Sequence, residues 1–442
     1  MLNDVSRNLL SFLPEGFPQL NLLVAFGVLL AFGTLGGLLA ARVKWLPTIT
    51  GFMALGLLIG PSGFGLLSEE ALISAQPLVQ IALGLILFKL GNTLHPWAVL
   101  RNRALVVTSL VESALTFSAI LLLMLWTGAP PVVAVLAASI AVSSSPAVLI
   151  HVAEELHAQG PTVDAAEALV AMNNVLAFVL FSFSLPLALR DAQFDPLAAM
   201  LLPAYQLIGA VIVAMVVAWI VTRIAQQTRV DEQHFRFALV VGAVTLALGL
   251  SIALNVSALF AALTLGVACR WMQGRSRLTR VEFGGGGDVF FIILFAFAGA
   301  NLHIHDLAEF AGIALAFVAV RVLAKCLSLY GCGRMFGYTR PQSIAVGLLL
   351  VPMAGLAIGL VQTTATLLPQ LAAQVSAVVL GAVAVFETIG PPLTAFALRF
   401  TGEAGKAPSA DVEDEGAEGA PAAKSAPATS PKPPATATER SN

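Results

Sequence analysis

The chain has 442 residues, 58% of them hydrophobic and only 11% charged, with a formal net charge of −2. A soluble domain carries roughly 25% charged residues, so an ordinary soluble protein is excluded, and the mean hydropathy of +0.89 agrees. Apolar stretches long enough for a bilayer core of about 30 Å recur from Leu22 to Leu398. A β-barrel would instead alternate apolar and polar residues over short strands.

The fold class expected is an all-α polytopic membrane protein of about 13 transmembrane helices. Residues 1–20 read as a lead-in rather than a signal peptide, because Asp4, Arg7 and Glu15 interrupt their apolar stretch and no small-residue cleavage site follows. Spans are predicted at 21–41, 46–66, 75–94, 103–127, 131–152, 163–189, 197–223, 233–252, 257–272, 285–304, 308–336, 343–368 and 374–400. Arg42 and Lys44, Arg101 and Arg103, Arg223, Arg229 and Arg236, Arg270 to Arg280, Arg334 and Arg340, and Arg399 and Lys406 then share one side. By the positive-inside bias the N-terminus faces outward and the C-terminus the cytoplasm. One loop of that side, HVAEELHAQG, runs against the bias with Glu154 and Glu155.

Gly284–Gly287 open a span and read as a flexible helix entry, not a phosphate loop. Cys269, Cys326 and Cys332 show neither metal-ligand spacing nor a disulfide framework. After about residue 401 the chain turns rich in Ala, Pro, Ser and Thr, which predicts a disordered tail over 401–442. No nucleophile–base pair, metal cluster or nucleotide motif appears. The expectation is therefore no enzyme, no cofactor, no nucleic-acid partner and no metal beyond a transported cation.

Two spans carry breaks. Ser143, Ser144, Ser145 and Pro146 fall near the middle of the fifth, and Pro352 and Gly355 within the twelfth. Serine before proline is a helix N-cap with proline at the first helical position, so the fifth span reads as two half-helices, and Pro352 with Gly355 does something similar in the twelfth. A simple proline kink explains either one alone. Both, however, are second in a triplet of spans, the triplets start on opposite sides, and charged or amide residues flank each break: Glu112 and Asn174 the first, Arg321 and Glu387 the second. Paired interrupted helices in inverted halves are the sequence pointer to a secondary-transporter site.

The stretches LPTITGFMALGLLIGPSGFGLL (46–67), LVQIALGLILFKLG (78–91), AVSSSPAVLIHV (141–152), ALVAMNNVLAF (168–178), VSALFAALTLGVACR (256–270), GLLLVPMAGLAIGLV (347–361) and VFETIGPPLTAFALR (385–399) resemble the monovalent cation:proton antiporter 2 family within the sodium/proton and potassium/proton exchanger superfamily. The resemblance covers about residues 20–400. It implies two crossed, broken helices in a core (about 103–189 and 308–400), which moves like an elevator against a dimerising scaffold (about 21–94 and 233–304). It also implies a homodimer in the cell inner membrane that exchanges Na⁺ or K⁺ for protons by alternating access. At the place of Asn173–Asn174 the family usually has an acid in second position, where cation and proton compete. This chain has none.

An amide oxygen ligates an alkali cation, but it takes no proton at accessible pH. Ser144, Ser145, Asn173 and Asn174 are the expected site lining, with Pro146 and Pro352 shaping the breaks. Arg321, Lys325, Glu387, Glu167 and Glu112 are the charged surround or the relocated proton coupling; Arg321 cannot itself give up a proton. Structural roles compete with these: Glu387 paired with Arg321, Glu167 with Lys325, Glu112 with Lys89, Asp288 as a helix-start acid, and His151 as a solvated residue. Three readings stay open: proton-coupled cation exchange, an uncoupled or anion-handling carrier, and a non-transporting sensor or scaffold.

Overall fold

In the computed structural model the residues described are 22–43, 46–93, 99, 101–189, 196–228, 233–273, 284–301 and 311–406, and all regular structure among them is helical. The helices are α1 (Leu22–Ala41), α2 (Thr48–Ile59), α3 (Glu69–Thr93), α4 (Arg103–Trp126), α5 (Pro131–Val142), α6 (Pro146–Glu155), α7 (Pro161–Leu189) and α8 (Pro196–Thr228). They continue with α9 (Gln233–Ala253), α10 (Ala258–Gln273), α11 (Gly284–Ala300), α12 (Ala311–Met335), α13 (Arg340–Leu349), α14 (Gly355–Leu367) and α15 (Pro369–Phe400). Each predicted span overlaps one helix or a pair of half-helices among the described residues, with different bounds: the span expected at 46–66 holds a helix only over Thr48–Ile59. Nine described helical stretches, α5–α6 counted as one, are long and apolar enough to cross a membrane; four more apolar helices are 10–17 residues long. Gly284–Gly287 form the first turn of α11, and Asp288 follows them, exposed. The lead-in 1–20 lies outside the described residues.

Start signals sit where local chemistry puts them. Asn102 caps α4 through its side chain, and Thr339 with Gln342 forms a capping box on α13. Helices meet closely where glycines remove the Cβ. A Cβ on Gly51 of α2 would lie 2.1 Å from the Gly36 carbonyl oxygen of α1, and one on Gly266 of α10 would lie 2.1 Å from that of Phe88 in α3. Such small-residue seams replace the hydrophobic drive that lipid removes from helix association.

Burial rises toward the breaks. The apolar window of α1 is 28% buried and that of α5–α6 is 94%. The described chain to Lys406 forms one compact unit.

One expectation fails at the C-terminal end. Residues 401–406 are ordered. Glu403 is buried and accepts hydrogen bonds from the Thr162 and Val163 amides at 3.0 and 3.1 Å, at the start of α7. Gln159 N–H donates to the Glu403 carbonyl and Gly405 N–H to that of Leu156. Composition missed this because a single carboxylate at a helix N-terminus outweighs a polar, small-residue surround. The remainder of the expected tail, 407–442, lies outside the described residues.

Candidate functional site at the helix crossing

The two breaks touch. Between α5 and α6 the backbone is extended at Ser143–Ser145; Ser145 caps α6, accepting from Val148 N–H, with Pro146 at the first helical position. Between α13 and α14 it runs open through Val351–Ala354. Ser145 N–H donates to the Pro352 carbonyl at 2.8 Å, and the Ser144 hydroxyl to that of Leu350 at 2.9 Å. Each break thus supplies partners to the other, which is how non-helical backbone persists away from water.

Two cations of α12 complete this accounting. Arg321 is fully buried and donates to the carbonyls of Ala141 (2.7 Å), Ser143 (2.6 Å) and Val351 (2.5 Å), bridging both breaks. Its guanidinium also stacks over the Phe386 ring of α15, 4.7 Å from the centroid. Lys325, one turn on and equally buried, donates to Glu112 Oε1 at 2.6 Å, the Val142 carbonyl at 3.1 Å and the Ser144 hydroxyl at 3.1 Å. The carbonyls of residues 141–143 and 350–352 therefore all accept from protein donors.

Glu112 is held from several sides. Its Oε1 also accepts from Thr116, and its Oε2 from Asn173 Nδ2 at 2.5 Å. Asn173 Oδ1 in turn accepts from Ser109 at 2.8 Å. Among the described residues the Asn174 side chain has one bond, from Ser144 N–H to Oδ1 at 3.0 Å, and its fully buried Nδ2 has no partner. Rotating that amide would set Nδ2 against another donor, so its orientation is chemically decided.

The structure brings together Asn173, Asn174, Ser144, Ser145, Pro146, Pro352, Arg321, Lys325 and Glu112. It corrects three expected pairings. Glu112 pairs with Lys325, not Lys89, and Lys89 pairs with Glu154. Glu167 is therefore not the partner of Lys325; it is half-buried on α7, within electrostatic reach of Asp164, Lys89 and Glu154. Arg321 satisfies backbone carbonyls, and Glu387, 3% exposed, makes no hydrogen bond or ion pair among the described residues. The physical reason is common to all three. Unpaired carbonyls at the breaks compete for buried cations, and the depth of a residue along its helix does not say which way it faces. His151, expected to be solvated, is half-buried between ring systems, 4.8 Å from the centroid of Phe291.

Sequence reasoning missed Ser109, Ser113 and Thr116. With Glu112 they stand at i, i+3, i+4 and i+7 of α4, a polar stripe of helical period in an apolar helix, and that signal was readable.

A comparison with curated proteins finds no match. Among solved structures, the sodium proton antiporter MjNhaP1 from Methanocaldococcus jannaschii at pH 8 superposes with a TM-score of 0.63 and 19% identity, covering 85% of this chain and 95% of that one. An electron-microscopy structure of the same antiporter gives 0.65 at 19% identity, with the same coverage. At that identity the likeness is one of fold. The chain matches the transmembrane sodium/hydrogen exchanger family over residues 26–400, most of its length, and so belongs to that family of multi-pass membrane transporters.

Proposed function

We propose that this chain is a monovalent cation:proton antiporter that couples its two ions at Lys325, not at the asparagine pair. One observation carries the reading: the Lys325 ammonium sits among three oxygens, a carboxylate at 2.6 Å and a carbonyl and a hydroxyl each at 3.1 Å. Oxygens of these kinds replace the hydration shell of an alkali cation. Lysine is the basic group there able to surrender a proton, since a guanidinium stays charged. In the exchange step Lys325 releases one proton, the neutral amine withdraws, and one Na⁺ or K⁺ takes its place on Glu112. A returning proton reverses the step. One charge enters as one leaves, so the cage keeps its charge, and no carboxylate at Asn174 is required.

In this reading α4–α7 and α12–α15 form the moving core, and the helices of 21–94 and 233–304 form the scaffold. Motion of the core exposes the cage to one side and then the other. The protein is a homodimer of the cell inner membrane with the C-terminus cytoplasmic, as the basic residues of that side favour.

The test uses purified protein in liposomes with a trapped pH dye, an imposed pH gradient, and Na⁺, K⁺ or Li⁺ added in turn. Wild type is expected to collapse the gradient with at least one cation. Lys325→Met is expected to lose that collapse while cation-for-cation exchange of a radioactive tracer persists, because the cage then binds cations without a competing proton. Proton exchange surviving in Lys325→Met would move the coupling elsewhere, with Glu387 and Glu167 next.

A second reading has its own observation. Asn174 Nδ2 is a buried donor without a partner among the described residues, which suits an anion or a neutral solute with lone pairs. Gradient responses that follow the anion and ignore the cation would establish it.

A further inference from the structure

The last turn of α6 carries three polar side chains, and each is engaged by a helix outside the core assigned above. Glu155 accepts from the Thr48 amide, with both carboxylate oxygens at 3.1 Å, and from the Thr48 hydroxyl at 3.0 Å. His151 Nε2 lies 3.2 Å from the same hydroxyl, and its ring packs on Phe291 of α11. Glu154 pairs with Lys89 of α3. Residue Pro47, at the N-cap of α2, offers no side-chain cap, so Glu155 supplies from another helix what that end lacks.

Helix α6 has ten residues, a rod of about 15 Å. Its first turn is the Ser145–Pro146 edge of the crossing, where Ser144 touches both Asn174 and Lys325. Its last turn is this clasp. Ten residues in one helix cannot move at one end and stay fixed at the other.

We propose that the clasp formed by Glu154, Glu155 and His151 on Lys89 and Thr48 is a gate latch. It shuts the crossing off from the face that carries residues 401–406, and it must part each time the site opens to that face. The proposal rests on the alternating-access reading. It accounts for the two acids that oppose the charge bias of their loop: they are spent on contacts between helices, Glu155 in a half-buried one and Glu154 in an exposed one.

The experiment bridges Thr48→Cys to Glu155→Cys with a short bifunctional thiosulfonate, after Cys269, Cys326 and Cys332 are replaced by alanine. A second pair, Lys89→Cys with Glu154→Cys, guards against a misfolded first pair. The bridge is expected to slow cation-dependent gradient collapse at least tenfold, with recovery on adding reductant. Equal rates with and without the bridge in both pairs would overturn the latch. If the unbridged parent shows no cation-dependent exchange, the antiport reading fails separately. The latch is then read by deuterium uptake over residues 141–148, which the bridge is expected to suppress several-fold; unchanged uptake would overturn it.

Discussion

Asn174 sits with its carbonyl oxygen committed to Ser144 N–H and its amide nitrogen committed to no partner among the described residues. That pattern, one acceptor used and one donor free, is that of a protonated aspartic acid. The chain thus holds permanently a state that an acid would visit only when protonated. Asn174→Asp replaces the free donor with an oxygen beside Ser144, a ligand of Lys325. It is expected to add a proton-linked ligand and to raise apparent cation affinity about 10- to 150-fold, since interactions of a charged group of this kind are worth about 1.5–3 kcal/mol. The half-maximal cation concentration in the gradient-collapse assay checks it, and an unchanged value would mean that position 174 does not meet the cation. Asn173 works differently, because both its polar atoms are used, on Glu112 and on Ser109. Asn173→Ala strips one charge-assisted bond from Glu112 and is expected to cost about 1.5–3 kcal/mol, seen as a lower unfolding temperature in detergent. Glu112→Gln is expected to be worse, about 3–5 kcal/mol, since it leaves the Lys325 ammonium buried without its counter-ion.

At the scale of the element, helix ends decide more than helix bodies. The start of α7 is satisfied by Glu403, 240 and 241 residues downstream of the amides it accepts from. Because α7 carries the asparagine pair, this cap ties the end of the ordered chain to the helix that borders the site. Glu403→Ala is expected to cost about 1 kcal/mol through loss of the cap and to raise deuterium uptake in residues 160–165. Uptake equal to wild type would show that α7 needs no partner there. On α15, Gly390 faces the second break: a Cβ at that position would meet Pro352 Cβ at 3.1 Å and Cγ at 3.2 Å. Gly390→Val overfills this contact and is expected to cost about 1–3 kcal/mol. It should also slow transport, because α15 must stand off from the open segment that accepts from Ser145. Normal transport at reduced stability would separate packing from function.

For the whole molecule, the seams between helices are backbone to backbone. Gly51 and Gly36 let α2 and α1 approach until a Cβ on either would meet the other's carbonyl oxygen at 2.1–2.2 Å. Gly51→Val cannot be absorbed by a side-chain rotation, because the obstacle is main chain. It is expected to abolish the monodisperse folded species on size exclusion, and recovery of normal folded protein would show that α1 is dispensable to the assembly. Arg321 and Lys325 reach their carbonyls only while α12 stays seated beside α4 and the first break.

Hydropathy and charge placed the helices, because a bilayer requires long apolar segments with internally satisfied backbone and little else does. The serine–proline run placed the first break, because a missing N–H and an N-cap hydroxyl are local chemistry. The absence of an acid at Asn173–Asn174 was equally plain. Sequence could not say which buried cation meets which acceptor. Lys325 chose Glu112 over Glu167, and Arg321 chose three carbonyls over Glu387, because the breaks expose carbonyls whose directions exist only once two helices cross. The caps that Glu155 and Glu403 place on helices far away in the chain were hidden for the same reason. A hydrogen bond needs atoms within about 3 Å, and which residues come that close is decided by packing, not by their order along the chain.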